Sequence, residues 1–106
     1  MIHVISEDAY AYVYILASHK NGTLYIGVTR DLGARLEQHK NKTEPKSFTA
    51  RYNVTRLVWC EGFELITDAI AYEKRLKKYK REWKINLIEE RNPDWREIDA
   101  GSGEYL

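Results

Sequence analysis

Cysteine, proline and long apolar runs are scarce in this sequence, and each scarcity closes a door. Cys60 is the only cysteine in 106 residues, so no disulfide can form within the chain and nothing calls for an oxidising compartment. Pro45 and Pro93 are the only prolines, and there is no linker, internal repeat or low-complexity stretch. The longest apolar run, Ala9 to Ala17, is far too short to cross a bilayer. Glu7 and Asp8 precede it where a signal peptide carries positive charge, so the cytoplasm is the expected compartment and no membrane partner is expected. His3, His19 and His39 are scattered, no Cys/His spacing suggests zinc, and no Gly-Lys-Ser phosphate loop is present. Charge of one sign is lacking too: the formal net charge is +1.

What remains is an ordinary globular balance, 43% hydrophobic and 31% charged, which argues against disorder and for one modest core. The near-neutral total hides a segregation. Seven basic residues against two acidic ones lie between Glu73 and Lys84, and six acidic against two basic between Glu89 and Leu106. The expected organisation is a domain over residues 1–92 followed by an acidic tail over 93–106. Eight tyrosines and three tryptophans are a heavy aromatic load, suited equally to burying area and to stacking on bases.

Tyr10 to Ala17 reads as a strand and Thr23 to Thr29 as its return, joined at Asn21-Gly22, a strong hairpin signal. A two-residue loop there sets Lys20 opposite Thr23 and puts Tyr14, Leu16, Tyr25, Gly27 and Thr29 on one face. Gly27 leaves room for something to approach the sheet. Asp31 is a fitting N-cap for a helix to about Lys40, in which Arg35 and His39 share the face of Leu32 and Leu36. An unpaired buried Arg is costly, so that face is expected to border a polar pocket. Asn41 to Arg51 reads as a loop and Arg56 to Phe63 as a third strand. Asp68 can cap a second helix with a stripe of Ala69, Tyr72, Leu76, Tyr79 and Trp83. A break near Tyr79 to Arg81 and a further helix through Ile88 suit Pro93 as terminator. Asn92 to Leu106 is expected to be loosely packed, with Trp95 as its anchor.

The oddly placed residues form one set: Tyr14, Tyr25, Arg35, His39 and Glu73. Together they hold the parts of metal-assisted phosphodiester cleavage. A carboxylate binds a divalent cation, a guanidinium takes phosphate oxygens in a fork, and a phenol or imidazole relays a proton from the attacking water. At these residues the chain resembles the GIY-YIG nucleases. The first motif corresponds to Tyr12-Val13-Tyr14, the second to Tyr25-Ile26-Gly27, the helix pair to Arg35 and His39, and the distal glutamate to Glu73 in Ala71-Tyr72-Glu73-Lys74-Arg75. Phe48-Thr49-Ala50-Arg51-Tyr52 and Arg81-Glu82-Trp83-Lys84 look closest to the short stand-alone subgroup related to the excinuclease nuclease domain. Tyr12 departs from the pattern by replacing its usual glycine.

The resemblance implies an α+β fold with a small three-stranded antiparallel sheet flanked by helices. It implies one Mg²⁺ or Mn²⁺ bound through Glu73 and Arg35 on the scissile phosphate. One of Tyr14 and Tyr25 would be the general base while the other positions water or phosphate, with His39 placed to accept a tyrosine's proton. A late asparagine of some members corresponds to Asn86, if to anything. DNA is the expected partner, single-stranded or structured, in repair or recombination. Lys74, Lys77, Lys78 and Arg51 are the candidates for phosphate contacts. The rival reading is a catalytically inactive nucleic-acid-binding module, and a protein-interaction domain using the acidic tail stands third. Each residue also has a plain structural use: strand tyrosines commonly just pack, a histidine can be structural, and Glu73 is spaced to pair with Lys77.

Overall fold

Ala11–Ala17 carries no charged side chain, and it becomes the central strand of the sheet, β1. The computed structural model describes residues 9–41 and 46–106; His3, Glu7, Asp8 and Pro45, named above, lie outside the described residues. Strands β2 (Leu24–Thr29) and β3 (Arg56–Phe63) pair antiparallel with β1 on either side, giving the order β2-β1-β3. Around the sheet lie α1 (Leu32–Lys40), α2 (Phe48–Arg51), α3 (Ile66–Lys77) and α4 (Arg81–Arg91), the expected α+β architecture.

All of β1 is buried because both of its faces are covered. Strand alternation splits it in two. Ala11, Val13, Ile15 and Ala17 pack with Trp59, Ala69, Leu76, Ile88 and Trp95 in an apolar core. Tyr12, Tyr14 and Leu16 turn the other way, toward Leu32, Leu36, Val54, Leu57 and Ile98. One strand thus serves an oily side and a tyrosine side.

The hairpin forms, but its register is two residues from the expectation. Ser18 N donates to Thr23 O, Tyr14 pairs with Gly27, and Gly22 N donates to His19 O within a four-residue loop. Asn21 takes the left-handed conformation there, at φ 61°, which asparagine tolerates. A shift of two preserves the alternation, so Tyr14, Tyr25 and Gly27 still share a face. Asp31 caps α1 as expected, its carboxylate accepting from Ala34 N at 3.0 Å.

Four further expectations are corrected. The stretch read as a loop contains α2, capped by Ser47 Oγ, which accepts from Ala50 N at 3.3 Å. Helix α3 begins two residues ahead of Asp68, with Leu65 at the cap and Ile66 packed on the apolar core; Asp68 instead lies in the first turn, where its charge meets the helix dipole. Trp83 leaves the buried stripe and is 51% exposed, because the break after Lys77 re-phases α4.

The tail, finally, is not loose. Asn92 is fully buried, and its Nδ2 donates to Val58 O at 3.0 Å and Arg96 O at 2.9 Å while Oδ1 accepts from Arg96 N. Val58 is the extra residue of a bulge in β3, between the pairs Ile15–Trp59 and Leu16–Leu57. Its carbonyl therefore looks for a partner outside the ladder, and the tail supplies one. Trp95 anchors the segment as expected, buried, with Nε1 donating to Glu89 at 2.7 Å; its φ of 58° is a strained value for a bulky residue that this packing holds in place. Ile98 N adds a bond to Leu57 O.

Candidate active site

The tyrosine side of the sheet gathers side chains from four elements. Tyr14 of β1 is buried, and its hydroxyl lies 3.1 Å from His39 Nε2 of α1. The other ring nitrogen, Nδ1, lies 2.9 Å from Thr49 Oγ1 of α2, itself buried. Tyr25 of β2, half-buried, has its ring centroid 6.3 Å from that of Tyr14 and 5.4 Å from that of His39. The space opened by Gly27 is filled from within. A Cβ at Gly27 would collide with the hydroxyl and Cζ of Tyr14, its partner across the strands. The glycine therefore admits a phenol of the chain itself.

Burial pushes the Tyr14 phenol well above its usual value; Tyr25 and the Glu73 carboxylate add to this, and the Arg35 guanidinium opposes it. Tyr14 thus keeps its proton at neutral pH. Burial, with help from Arg35, holds His39 below its ordinary value, so its ring is neutral. A neutral imidazole donates once and accepts once. In the tautomer whose Nδ1–H donates to Thr49, Nε2 would accept from the Tyr14 hydroxyl and give its proton a short path inward.

Arg35 is not buried as the helix pattern suggested. It stands exposed, while Leu32 and Leu36 of the same helix are buried in the core. Among the described residues it enters no ion pair, yet its charge reaches both Tyr14 and His39. Glu73 of α3 is only 12% exposed and pairs with Lys77 Nζ at 2.8 Å. The structural use of this glutamate and its place beside the cluster hold at once, since its charge also acts on Tyr14. Lys74 and Lys78 are exposed on the same helix, and the Arg51 guanidinium lies 5.7 Å over the Tyr52 ring. Asn86 lines a groove with Tyr79, Trp83, Leu87 and Glu90, none of which belongs to this cluster.

No group of three or more His, Cys, Asp or Glu side chains arranged for a metal occurs among the described residues. Glu73 alone is a hard anionic oxygen donor. One carboxylate completed by water and substrate phosphate oxygens is a donor set that suits Mg²⁺ or Mn²⁺, and it does not suit zinc.

Thr49 lies in a segment whose composition reads as a loop, so the residue pattern does not single it out. A helix signal is nevertheless present: Ser47 stands three residues before Ala50 as a helix cap. Tyr12, where the motif usually has glycine, lies opposite Gly62, and a Cβ at Gly62 would stand 3.2 Å from its ring. The glycine across the strand leaves the space that the Tyr12 ring takes.

Comparison with known proteins gives the family. Residues 10–86 match the GIY-YIG catalytic domain, and the chain belongs to that family of nucleases. UPF0213 proteins of Staphylococcus aureus strains Mu3, Mu50 and N315 are each 35% identical to it over 80 residues, covering 76% of this chain and 95% of theirs. The solution NMR structure of a UPF0213 protein from Bacillus halodurans is 29% identical, covers 77% of this chain and 85% of its own, and superposes with a TM-score of 0.49. No helix among the described residues is long and apolar enough to cross a membrane.

Proposed function

We propose that this protein is a divalent-cation-dependent endonuclease that hydrolyses phosphodiester bonds in DNA, on single-stranded or structured substrates, in repair or recombination in the cytoplasm. The observation that carries the reading is the gathering of two phenols, a neutral imidazole, an exposed guanidinium and a half-buried carboxylate from β1, β2, α1 and α3. A core built only for stability has no use for such a set.

Tyr14 is the better base of the two phenols because an acceptor for its proton is already in place. Taking a proton from the attacking water as it releases its own to His39 Nε2 avoids a free phenolate, which burial makes costly. Thr49 is a positioning residue that holds the ring through Nδ1. Tyr25, at the solvent side, orients the water or the phosphate. Arg35, exposed and in no ion pair among the described residues, offers its forked N–H donors to the phosphate oxygens and balances the charge that grows there. Glu73 would hold the Mg²⁺ or Mn²⁺, which when bound would polarise a phosphoryl oxygen and stabilise the leaving oxygen. Lys74, Lys77, Lys78 and Arg51 are the candidate phosphate contacts, with Lys77 paired to Glu73. These residues lie in the domain over 1–92, with 93–106 as a structural extension.

The test is cleavage of labelled single-stranded, duplex, flap and branched DNA with Mg²⁺ or Mn²⁺. Chelation abolishes product, and Arg35→Ala and Glu73→Ala each lower the rate about 10²- to 10³-fold. Cleavage that survives both substitutions, contaminants excluded, refutes the assignment. One observation favours the rival, a binding module without activity: the Lys77 ammonium sits on the carboxylate that would hold the cation. That reading requires salt-sensitive binding with no product under any cation.

A further inference from the structure

Helix α2 inverts the usual rule of polar outside and apolar inside. Its threonine, Thr49, is buried at 3% exposure, while Phe48 is 46% and Tyr52 52% exposed. The two exposed rings lie together, with centroids 4.9 Å apart. Phe48 in turn stacks on Tyr25 at 6.5 Å and 28°, and Tyr25 meets His39 edge-on at 5.4 Å. An unbroken line of rings thus runs from the candidate active site out to open surface. Arg51 lies against its outer end, exposed Lys46 precedes Phe48 by two residues, and the charge of exposed Arg35 acts on His39 at its inner end.

A single exposed aromatic needs no explanation, but a contiguous patch does. A protein partner would leave the neighbouring arginines and lysine to be matched by its own charges. A nucleic-acid strand satisfies both features, since its bases have apolar faces and its backbone is anionic. Only an unpaired base can present a face, because in a duplex the faces are occupied by stacking and only edges are offered.

We propose that Phe48 and Tyr52 form a stacking platform for unpaired bases of a DNA strand, placed so that the phosphate beside those bases falls at Tyr25 and Arg35. The substrate class that follows is single-stranded DNA, or DNA with unpaired nucleotides next to the cut. This rests on the nuclease reading for its purpose, though not for its binding. The same short helix then does two things: Thr49 fixes the His39 ring from inside, and Phe48 and Tyr52 hold the strand outside.

The experiment is fluorescence anisotropy with a labelled single-stranded oligonucleotide, its duplex, and an abasic strand of equal length, in chelator so that no cleavage occurs. Phe48→Ala and Tyr52→Ala are each expected to weaken single-strand binding roughly tenfold. The ring-retaining Tyr52→Phe recovers the loss, and duplex binding is the same for all. Wild-type protein binds the abasic strand as weakly as the variants bind the normal one, and the alanine substitutions cost nothing further there. Phe48→Leu, which keeps apolar bulk without a π-face, shows the same loss in case Phe48→Ala fails to fold. No loss on the single strand, an equal loss on duplex, or a loss that persists on the abasic strand overturns the platform. Ring-dependent binding with no cleavage under any cation refutes the nuclease reading alone; metal-dependent cleavage with no effect of the rings refutes the platform alone.

Discussion

The two faces of β1 are built from adjacent residues and obey different rules. On one side Ala11, Val13, Ile15 and Ala17 meet Trp59, Leu76, Ile88 and Trp95, and the strand's own contribution is apolar and closely packed, with the Trp95 Nε1 reaching outward to Glu89. On the other side each residue is tied to a particular partner. Tyr14 needs the gap at Gly27 and the nitrogen of His39, and His39 needs the hydroxyl of Thr49. Between neighbours such as Tyr14 and Ile15, the chain passes from bulk hydrophobic stability to specific chemistry.

Substitutions one residue apart in space separate the two roles. Ile15→Ala on the apolar face removes a fully buried side chain and is expected to lower stability by about 3 kcal/mol in denaturant titration. That is the largest effect, and it falls on folding. Gly27→Ala on the other face is expected to push the Tyr14 phenol off His39, reducing cleavage at least tenfold with a smaller change in stability. If Gly27→Ala cut as well as the parent, or if Ile15→Ala left stability unchanged, the division between the faces would fail.

The smallest effect is a titration. Since burial and Arg35 both disfavour imidazolium, His39 is expected to titrate below 6.5, followed by NMR of its ring protons. Arg35→Ala moves the midpoint upward. The sign carries to function and to folding: the neutral ring is needed as acceptor, so cleavage falls as pH drops through that lowered value. The stability contributed by the depressed group is likewise complete above 6.5 and lost on the way down. A midpoint above 6.5 would contradict the lowering by burial and Arg35.

Much of the fold was legible because its signals are local. The Asp31 cap, the Asn21-Gly22 turn and the aromatic and β-branched strands act over a few residues, and α1 and β3 fall where those signals put them. Parity also protected the site: a hairpin register wrong by two still places Tyr14, Tyr25 and Gly27 together. What could not be read were bonds between distant segments. The burial of Asn92 depends on a bulge carbonyl at Val58, and the role of Thr49 depends on a histidine ten residues earlier in another helix. Arg35 marks a related limit: helix periodicity shows which face a residue shares, but how far that position is covered depends on what packs there, and here it is exposed.

The central claim is that Tyr14 and His39 act as one proton-transfer unit, and a double-mutant cycle tests it most directly. Single-turnover cleavage rates would be measured for Tyr14→Phe, His39→Gln and the double variant at saturating Mg²⁺. Each single change is expected to cost about as much as both together, on the order of 10²- to 10³-fold, because either one breaks the same path. Losses that simply multiply in the double variant would show two independent residues and contradict the account.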